Sequence, residues 1–317
     1  MTTAIRPSVT GDPQRTRKRA GSARRRQSAV AWLFVSPFLL VFTGMLIAPL
    51  VYAGYLSLFE TTLVGGQTFA GLNNYLRALQ DPELIGSVGR VILFFVVQVP
   101  VMLGLAIILA LVLDSRLARG SSVARLLIFL PYAVPAVVAT LMWGYLYGPN
   151  FGPITQVTRF MGLGSPDLLS PENILGSMMN VVTWGFVGYN MIILYAALRA
   201  IPVELYEAAE IDGAGQFRIA LSIKLPALRP ALVLTLIFSV IGTFQLFTEP
   251  SLLNTIAIDA ISNSFTPNYY AYNLAFINRE PNYAAAIAFL LGLLIAVISF
   301  IIQSSSQRAE RREGMAR

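Results

Sequence analysis

Apolar residues run along this chain in long unbroken blocks, separated by shorter segments rich in charge, Gly and Pro. The blocks lie at roughly Trp32–Phe59, Val91–Leu113, Leu126–Leu146, Val181–Leu198, Ala231–Phe247 and Ala284–Ile302. About 20 apolar residues carry a helix across the hydrocarbon core of a bilayer, so the pattern predicts six spanning helices. The fourth and fifth blocks are short as bounded and are expected to extend into their flanks. Pro37, Pro49, Pro100, Pro131 and Pro135 fall inside spans or at their ends and predict kinks, which lipid tolerates where neighbouring groups re-satisfy the freed carbonyls. The first block is too long for a signal-peptide core and lacks a small-residue cleavage site at signal length, so it reads as an uncleaved span.

Charge orients these spans. With the N-terminus placed inside, the inner segments hold 19 of the 23 Lys and Arg residues, and the outer loops hold only Arg77, Arg90, Arg159 and Arg279. That asymmetry is the positive-inside signal and predicts both termini in the cytoplasm. The basic run Arg15 to Arg26 reads as a juxtamembrane topology signal within a disordered cytoplasmic tail over 1–30, rather than as a nucleic-acid patch. Aromatic residues at span ends agree: Trp32 at the inner end of the first, Trp143, Tyr145 and Tyr147 at the outer end of the third, Trp184 at the outer start of the fourth. The third and fourth spans are joined by a Gly/Pro-punctuated loop with room for one short helix at Ile154–Met161. The expected organisation is the tail, a six-span body over 31–303 carrying an inner loop at 201–226, and a cytoplasmic C-terminal tail over 304–317.

Composition narrows the chemistry. Only 12% of residues are charged and mean hydropathy is +0.65, against about 25% charged in a soluble domain. Cysteine and histidine are both absent, which removes disulfides, thiolate nucleophiles, Ser-His-Asp triads and histidine metal sites. No G-x-x-x-x-G-K-[ST] phosphate loop occurs, and no metal-ligand or paired-carboxylate constellation is visible. Ionisable residues sit at span boundaries: Glu249 outside, Asp114 and Arg199 inside. Ion-coupled carriers usually hold such a group near the midplane, so the pattern favours a transporter powered by another subunit over a secondary carrier, a channel or a membrane-embedded enzyme.

The inner loop Ile201–Pro230, IPVELYEAAEIDGAGQFRIALSIKLPALRP, reads as two short helices joined by a turn. Pro202 suits a helix's first turn and Glu204 its positive dipole end. Asp212-Gly213 is a stop signal, because Gly takes the left-handed conformation readily. Phe217 to Lys224 forms the second helix, with Pro226 and Pro230 ending it and opening the next span. Such a hairpin is suited to docking in a partner's cleft; the alternative is a solvated connector.

Within this loop, Glu207-Ala208-Ala209, three residues, Gly213, nine residues, then Ile223-Lys224-Leu225-Pro226 resembles the EAA---G---------I-LP signature of ABC-importer permease subunits. Asp212, Ala214 and Phe217 resemble the fuller form of the carbohydrate-uptake branch, the maltose- and glycerol-phosphate-type permeases. Leu130–Tyr147 and Gly242–Pro250 are similar to the same branch. The resemblance covers about 32–303 and implies an all-α polytopic membrane protein with the type I ABC importer permease fold.

The resemblance further implies a bacterial inner-membrane complex: a second permease subunit, a dimer of ATP-binding subunits that carry the ATP and Mg, and an extracytoplasmic solute-binding lipoprotein. This chain would then hold no cofactor or metal, bind no nucleic acid and hydrolyse nothing itself. Glu207, Ala208, Ala209, Asp212, Gly213, Ile223, Leu225 and Pro226 would form the coupling element, with Glu207 facing a groove on the ATPase and Gly213 allowing the turn. The solute would be a di- or oligosaccharide rather than glycerol phosphate, since the outer face has no basic cluster. Sugars are bound by amides, hydroxyls and aromatic faces, which makes Tyr189, Asn190, Phe244 and Gln245 path candidates, joined by Thr243 and Tyr132. The same amides can equally be interhelical glue, and in this family one permease of the pair often makes most of the solute contacts.

Overall fold

The computed structural model describes residues 31–62, 66–115, 121–162 and 164–315; the basic tail expected over 1–30 lies outside the described residues. The chain divides into two compact units between Tyr55 and Leu56. The first is the helix α1, which begins at Ala31 and continues to Ser57, with a π-helical turn at Thr43–Ile47.

The second unit opens with a small antiparallel hairpin, β1 (Phe59–Thr62) and β2 (Gly66–Phe69), in which Phe59 stands opposite Phe69 and their rings meet edge to face at 5.4 Å. This is a departure from the all-helical expectation. The β-branched and aromatic residues favour extended backbone, and Gly66 supplies a φ of +74° at the turn. Helices follow: α2 (Asn73–Gln80), α3 (Pro82–Asp114), α4 (Ser121–Ala133), α5 (Ala136–Leu146), α6 (Pro153–Phe160) and α7 (Ile174–Arg199). Then come α8 (Val203–Ile211), α9 (Gln216–Ile219), α10 (Arg229–Phe244), α11 (Thr248–Leu253), α12 (Pro267–Phe276) and α13 (Pro281–Met315).

Helices α1, α3, α7, α13 and the α10–α11 pair are each long and apolar enough to span a membrane. The fourth and fifth blocks do extend into their flanks, as expected. The third is broken more sharply than a kink: α4 and α5 are long and apolar enough as a pair to span a membrane but are bent by 92°. Pro135 has no N–H to bond the carbonyl of Pro131, and its ring disfavours helical backbone at Val134. Pro135 itself is extended, with φ −54° and ψ 133°. At the other terminus, the helix predicted to end near 303 runs on to Met315. Its Ser-Ser-Ser-Gln-Arg-Ala-Glu-Arg-Arg-Glu continuation lacks a breaker and is rich in helix formers.

The core is the packing of α3 on α7. Fully buried Ala106 and Ala110 let Met191, Leu194 and Leu198 approach closely, with Leu113 and Leu228 completing the layer. Small residues drive such approaches in lipid, where apolar side chains gain little from leaving the tails. Gly188 of α7 carries this furthest: a Cβ there would lie 2.0 Å from the Ile128 carbonyl oxygen of α4. Near α5's end the expected interfacial aromatics instead pack together. Trp143 meets Trp184 at 5.8 Å and Tyr147 at 5.4 Å, and the buried Tyr147 hydroxyl accepts from Asn180 Nδ2 at 2.7 Å.

The opposite end of the unit from the α8–α9 hairpin is locked by polar bonds. Asp81 caps α3 through the amides of Glu83 and Leu84 and accepts from the hydroxyls of Tyr270 (2.8 Å) and Tyr283 (2.6 Å). Burial pushes the Asp81 carboxyl up, but these bonds outweigh it and hold the group below the usual carboxylate range. Arg90 donates to the carbonyls of Ser264 and Phe265, and Glu83 accepts a short hydrogen bond from Ser264.

Candidate functional site

Two features of the second unit carry chemistry. The first is a cavity of about 310 Å³ enclosed by α3, α7, α10 and the break between α10 and α11. Where α10 stops at Phe244, the backbone turns irregular and the carbonyls of Gln245 and Leu246 need partners from outside the helix. Side chains at the start of α12 supply them: Thr266 Oγ1 donates to Leu246 O at 2.7 Å and Asn268 Nδ2 to Gln245 O at 3.1 Å. The irregular backbone so held opens a polar strip, Gln245 to Glu249, onto the cavity.

Of the sequence-predicted path residues, Tyr189, Asn190, Gln245 and Thr243 line this cavity. Phe244 does not: it is 3% exposed and packs with Val91 and Val240 beside Leu294 and Ile298 of α13. One residue on from Thr243, the helix turns it to the opposite side. Tyr132 lies outside the lining but stacks on Tyr189 at 4.7 Å. Asn190 is buried, and its Nδ2 donates to Phe186 O one turn back at 3.0 Å and to Met102 Sδ at 3.6 Å. Gln245 is exposed and lines the cavity, and its side chain makes no hydrogen bond among the described residues.

Among the lining residues that sequence reasoning missed, Gln98 and Glu249 matter most for the chemistry. Gln98 of α3 donates to Thr183 Oγ1 of α7 at 3.2 Å, and is the amide that joins the two core helices. A lone Gln within an apolar span was the available signal. Glu249, read from sequence as an outer boundary residue, lines the cavity. Its placement depends on the break after Phe244, which hydropathy does not mark.

The second feature is the hairpin of α8 and α9. Gly213 has φ +78°. Ala214 N bonds Ala209 O at 2.9 Å and Gly213 N bonds Glu210 O at 3.0 Å, the pairing of a Schellman cap. Gln216 Nε2 closes the two arms onto Glu210 Oε1 at 2.9 Å. Pro202 is the residue before the helix, with extended ψ, rather than its first. The second arm does not stop at Pro226. A π-helical turn at Ala220–Lys224 and a helical turn at Leu225–Ala227 carry it to Leu228, whose buried side chain leads directly into α10. The wider π turn makes room for the proline ring where an α-turn would clash.

Glu207, Ala208, Asp212, Gly213 and Pro226 are exposed, and Ala209, Ile223 and Leu225 are half-buried. Flanking the turn, Ile211 is 86% and Phe217 78% exposed. The base of the hairpin is fixed by Lys224, which pairs with Asp114 at the end of α3 at 2.5 Å, both side chains under a tenth exposed. The Lys224 ammonium also lies 5.2 Å from the Tyr206 ring. A second polar cavity of about 370 Å³ adjoins this pair. Burial, with Asp114 adding to it, pushes the Tyr206 hydroxyl above its ordinary range.

A multi-span helical bundle with a largely apolar cavity that carries a few polar groups, and a protruding helical hairpin, is the architecture of a membrane transport subunit. The chain belongs to the family of binding-protein-dependent transport system inner membrane components, whose profile matches residues 102–312. It is 32% identical to the lactose transport system permease protein LacF of Rhizobium radiobacter over 88% of this chain and 95% of that one. To the arabinooligosaccharides transport system permease protein AraP of Bacillus subtilis it is 29% identical, over 87% and 88%. Its fold matches a chain from the crystal structure of a bacterial ABC transporter involved in the import of the acidic polysaccharide alginate, with TM-score 0.80 over 92% of this chain and 99% of that one at 19% identity. The chain is therefore an ABC-importer permease subunit, and the sequence expectation of that family holds.

Proposed function

We propose that this chain forms the solute path of an ATP-driven, binding-protein-dependent importer of a di- or oligosaccharide. The α8–α9 hairpin would couple ATP hydrolysis on a partner to movement of the spans. The observation that carries this reading is the hairpin: it bears the EAA-type signature, is rigid by its own caps, and leaves Ile211, Phe217 and Glu207 unburied. Exposed apolar residues of this size on a rigid tip suit burial in a partner's groove. The amide- and aromatic-lined cavity and the sugar-transport relatives support a saccharide as solute. A second permease subunit, a pair of ATP-binding subunits and an extracytoplasmic binding protein complete the machine. ATP and Mg reside on the ATPase, and both termini face the cytoplasm.

The test is reconstitution with these partners. ATP hydrolysis and sugar uptake appear only in the full complex, stimulated by loaded binding protein, and Glu207→Lys or Gly213→Val uncouples or dissociates the ATPase. Gly213→Val forces a β-branched residue into the left-handed region, at about 1–2 kcal/mol or more. Wild-type uptake by both variants would make the hairpin an ordinary connector. Sugar accumulation by this chain alone, driven by an ion gradient, would favour the carrier reading, for which Glu249 supplies an ionisable group in the cavity.

A further inference from the structure

We propose that Glu249 makes the cavity selective by charge: it admits saccharides that are neutral or carry amino groups, and turns away those bearing uronate or phosphate. The inference rests on the reading of the cavity as the solute path.

Glu249 is the one charged residue in a lining that otherwise consists of amides, hydroxyls, aromatic rings and aliphatic groups. The ion pairs Arg77–Glu280 and Lys224–Asp114 lie elsewhere. No lysine or arginine in the wall compensates it. Three of the wall's hydrogen-bond donors are engaged within the protein: Gln98 Nε2 donates to Thr183, Asn190 Nδ2 to Phe186 O, and Ser239 Oγ to Thr235 O at 2.8 Å. What remains toward the cavity is the Gln245 amide, the Tyr189, Thr243 and Thr248 hydroxyls, which accept as well as donate, and a carboxylate at one end.

Such a surface matches a ligand rich in donors. Sugar hydroxyls or an ammonium can donate to a carboxylate, and hydrogen bonds to an ionised acceptor are roughly twice as strong as neutral ones. The carboxylate of a uronate or the phosphate of an ester offers acceptors where a donor is wanted and brings a like charge beside Glu249. The fold is shared with an importer of the acidic polysaccharide alginate, so the sign of the preferred solute is not set by the fold. Here it is set by the residue at position 249.

The native chain has no cysteine, so one introduced thiol reports the local potential cleanly. Ser239→Cys places it in the cavity wall with near-equal volume, and Gln245→Cys gives a second, independent reporter. The experiment uses the assembled transporter, purified in detergent so that both membrane faces are open. Modification by the cationic trimethylammonium-ethyl methanethiosulfonate is compared with that by the anionic sulfonatoethyl methanethiosulfonate, followed by mass spectrometry. Rates are normalised to those with 2-mercaptoethanol. The expected cation-to-anion ratio exceeds the solution ratio by about tenfold. Glu249→Gln returns it to the solution value, and Glu249→Lys inverts it. A ratio that Glu249→Gln leaves unchanged overturns the proposal while leaving the path reading intact. If neither thiol reacts while one introduced at exposed Phe217 does, the cavity is closed to solutes, and the path reading fails with the proposal.

Discussion

The hairpin and the cavity hold their shapes by opposite means. The hairpin is built mostly from neighbours in sequence, a Schellman cap at Gly213 and a Gln216–Glu210 bond across the turn, with a distant ion pair, Lys224 to Asp114, at its base. The cavity has almost no local logic. Its wall is drawn from α3, α5, α7, α10 and the irregular turn after α10, and its polar groups are held across helices by Gln98–Thr183 and across that turn by Thr266 and Asn268. A locally built element tolerates change everywhere except at a few geometric points. A wall assembled from afar is sensitive wherever helices touch closely, and tolerant where a side chain simply faces the space.

The largest expected effect tests the ion pair at the base of the hairpin. Lys224→Met removes the partner of a buried carboxylate, which costs about 3–5 kcal/mol. A melting midpoint well below wild type and a poor yield of the assembled complex are expected. Pairing it with Asp114→Leu removes the stranded charge, and stability returns to or exceeds wild type, since buried ion pairs are often matched by apolar replacements. The cavity gives the contrast. Among the described residues Glu249 has no ion-pair partner to strand, so Glu249→Gln shifts the midpoint by no more than about 0.5 kcal/mol. Equal effects of Lys224→Met and Glu249→Gln would erase the distinction drawn between the two regions.

A smaller effect tests the wall. Gly188→Ala drives a methyl group to 2.0 Å from the Ile128 carbonyl oxygen. Neither backbone is a flexible side-chain end, so α4 and α7 must separate, at about 1–3 kcal/mol. The Tyr132–Tyr189 stack should loosen with them, readable as a change in near-ultraviolet circular dichroism. At Gly213 an added Cβ meets nothing within 4 Å, and only its φ objects. Gly213→Ala is therefore expected to lower stability by no more than about 1–2 kcal/mol, with the aromatic signal unchanged.

How far the sequence discloses each region follows from the same contrast. The hairpin was legible almost throughout, because Pro202, Asp212-Gly213 and the small residues between act within a few positions of themselves. Its base was not: Lys224 and Asp114 are 110 positions apart, and nothing local links them. The spans were legible as lengths of apolar chain. The right-angle break at Pro135 was not, since proline sequence signals a kink without its size. For the cavity, facing could be read only where a helix runs straight. Asn190 and Gln245 were chosen by their chemistry, as amides within apolar spans, and both line the cavity. Phe244 faces elsewhere because its direction depends on which side of α10 meets α13, and Glu249's approach to the cavity was not legible because it depends on capping by Thr266 and Asn268.

The smallest effect separates solute contact from helix-to-helix glue at the two predicted amides. Asn190 is 3% exposed, and its Nδ2 is bonded to Phe186 O and Met102 Sδ. Asn190→Ala therefore loses an internal hydrogen bond, at about 0.5–1.5 kcal/mol, and stability and uptake are expected to fall together. Gln245 is anchored through its backbone carbonyl by Asn268, while its side chain faces the cavity unbonded. Gln245→Ala keeps that anchor, so the melting midpoint should stay within about 0.5 kcal/mol of wild type. Uptake should nevertheless fall severalfold, with basal ATP hydrolysis unchanged, because a donor facing the solute is gone. Measuring midpoint and uptake on the same preparations decides the matter. If Gln245→Ala lowers the midpoint as much as Asn190→Ala, its amide is part of the packing, and the solute contacts of the wall lie with Tyr189 and Glu249 instead.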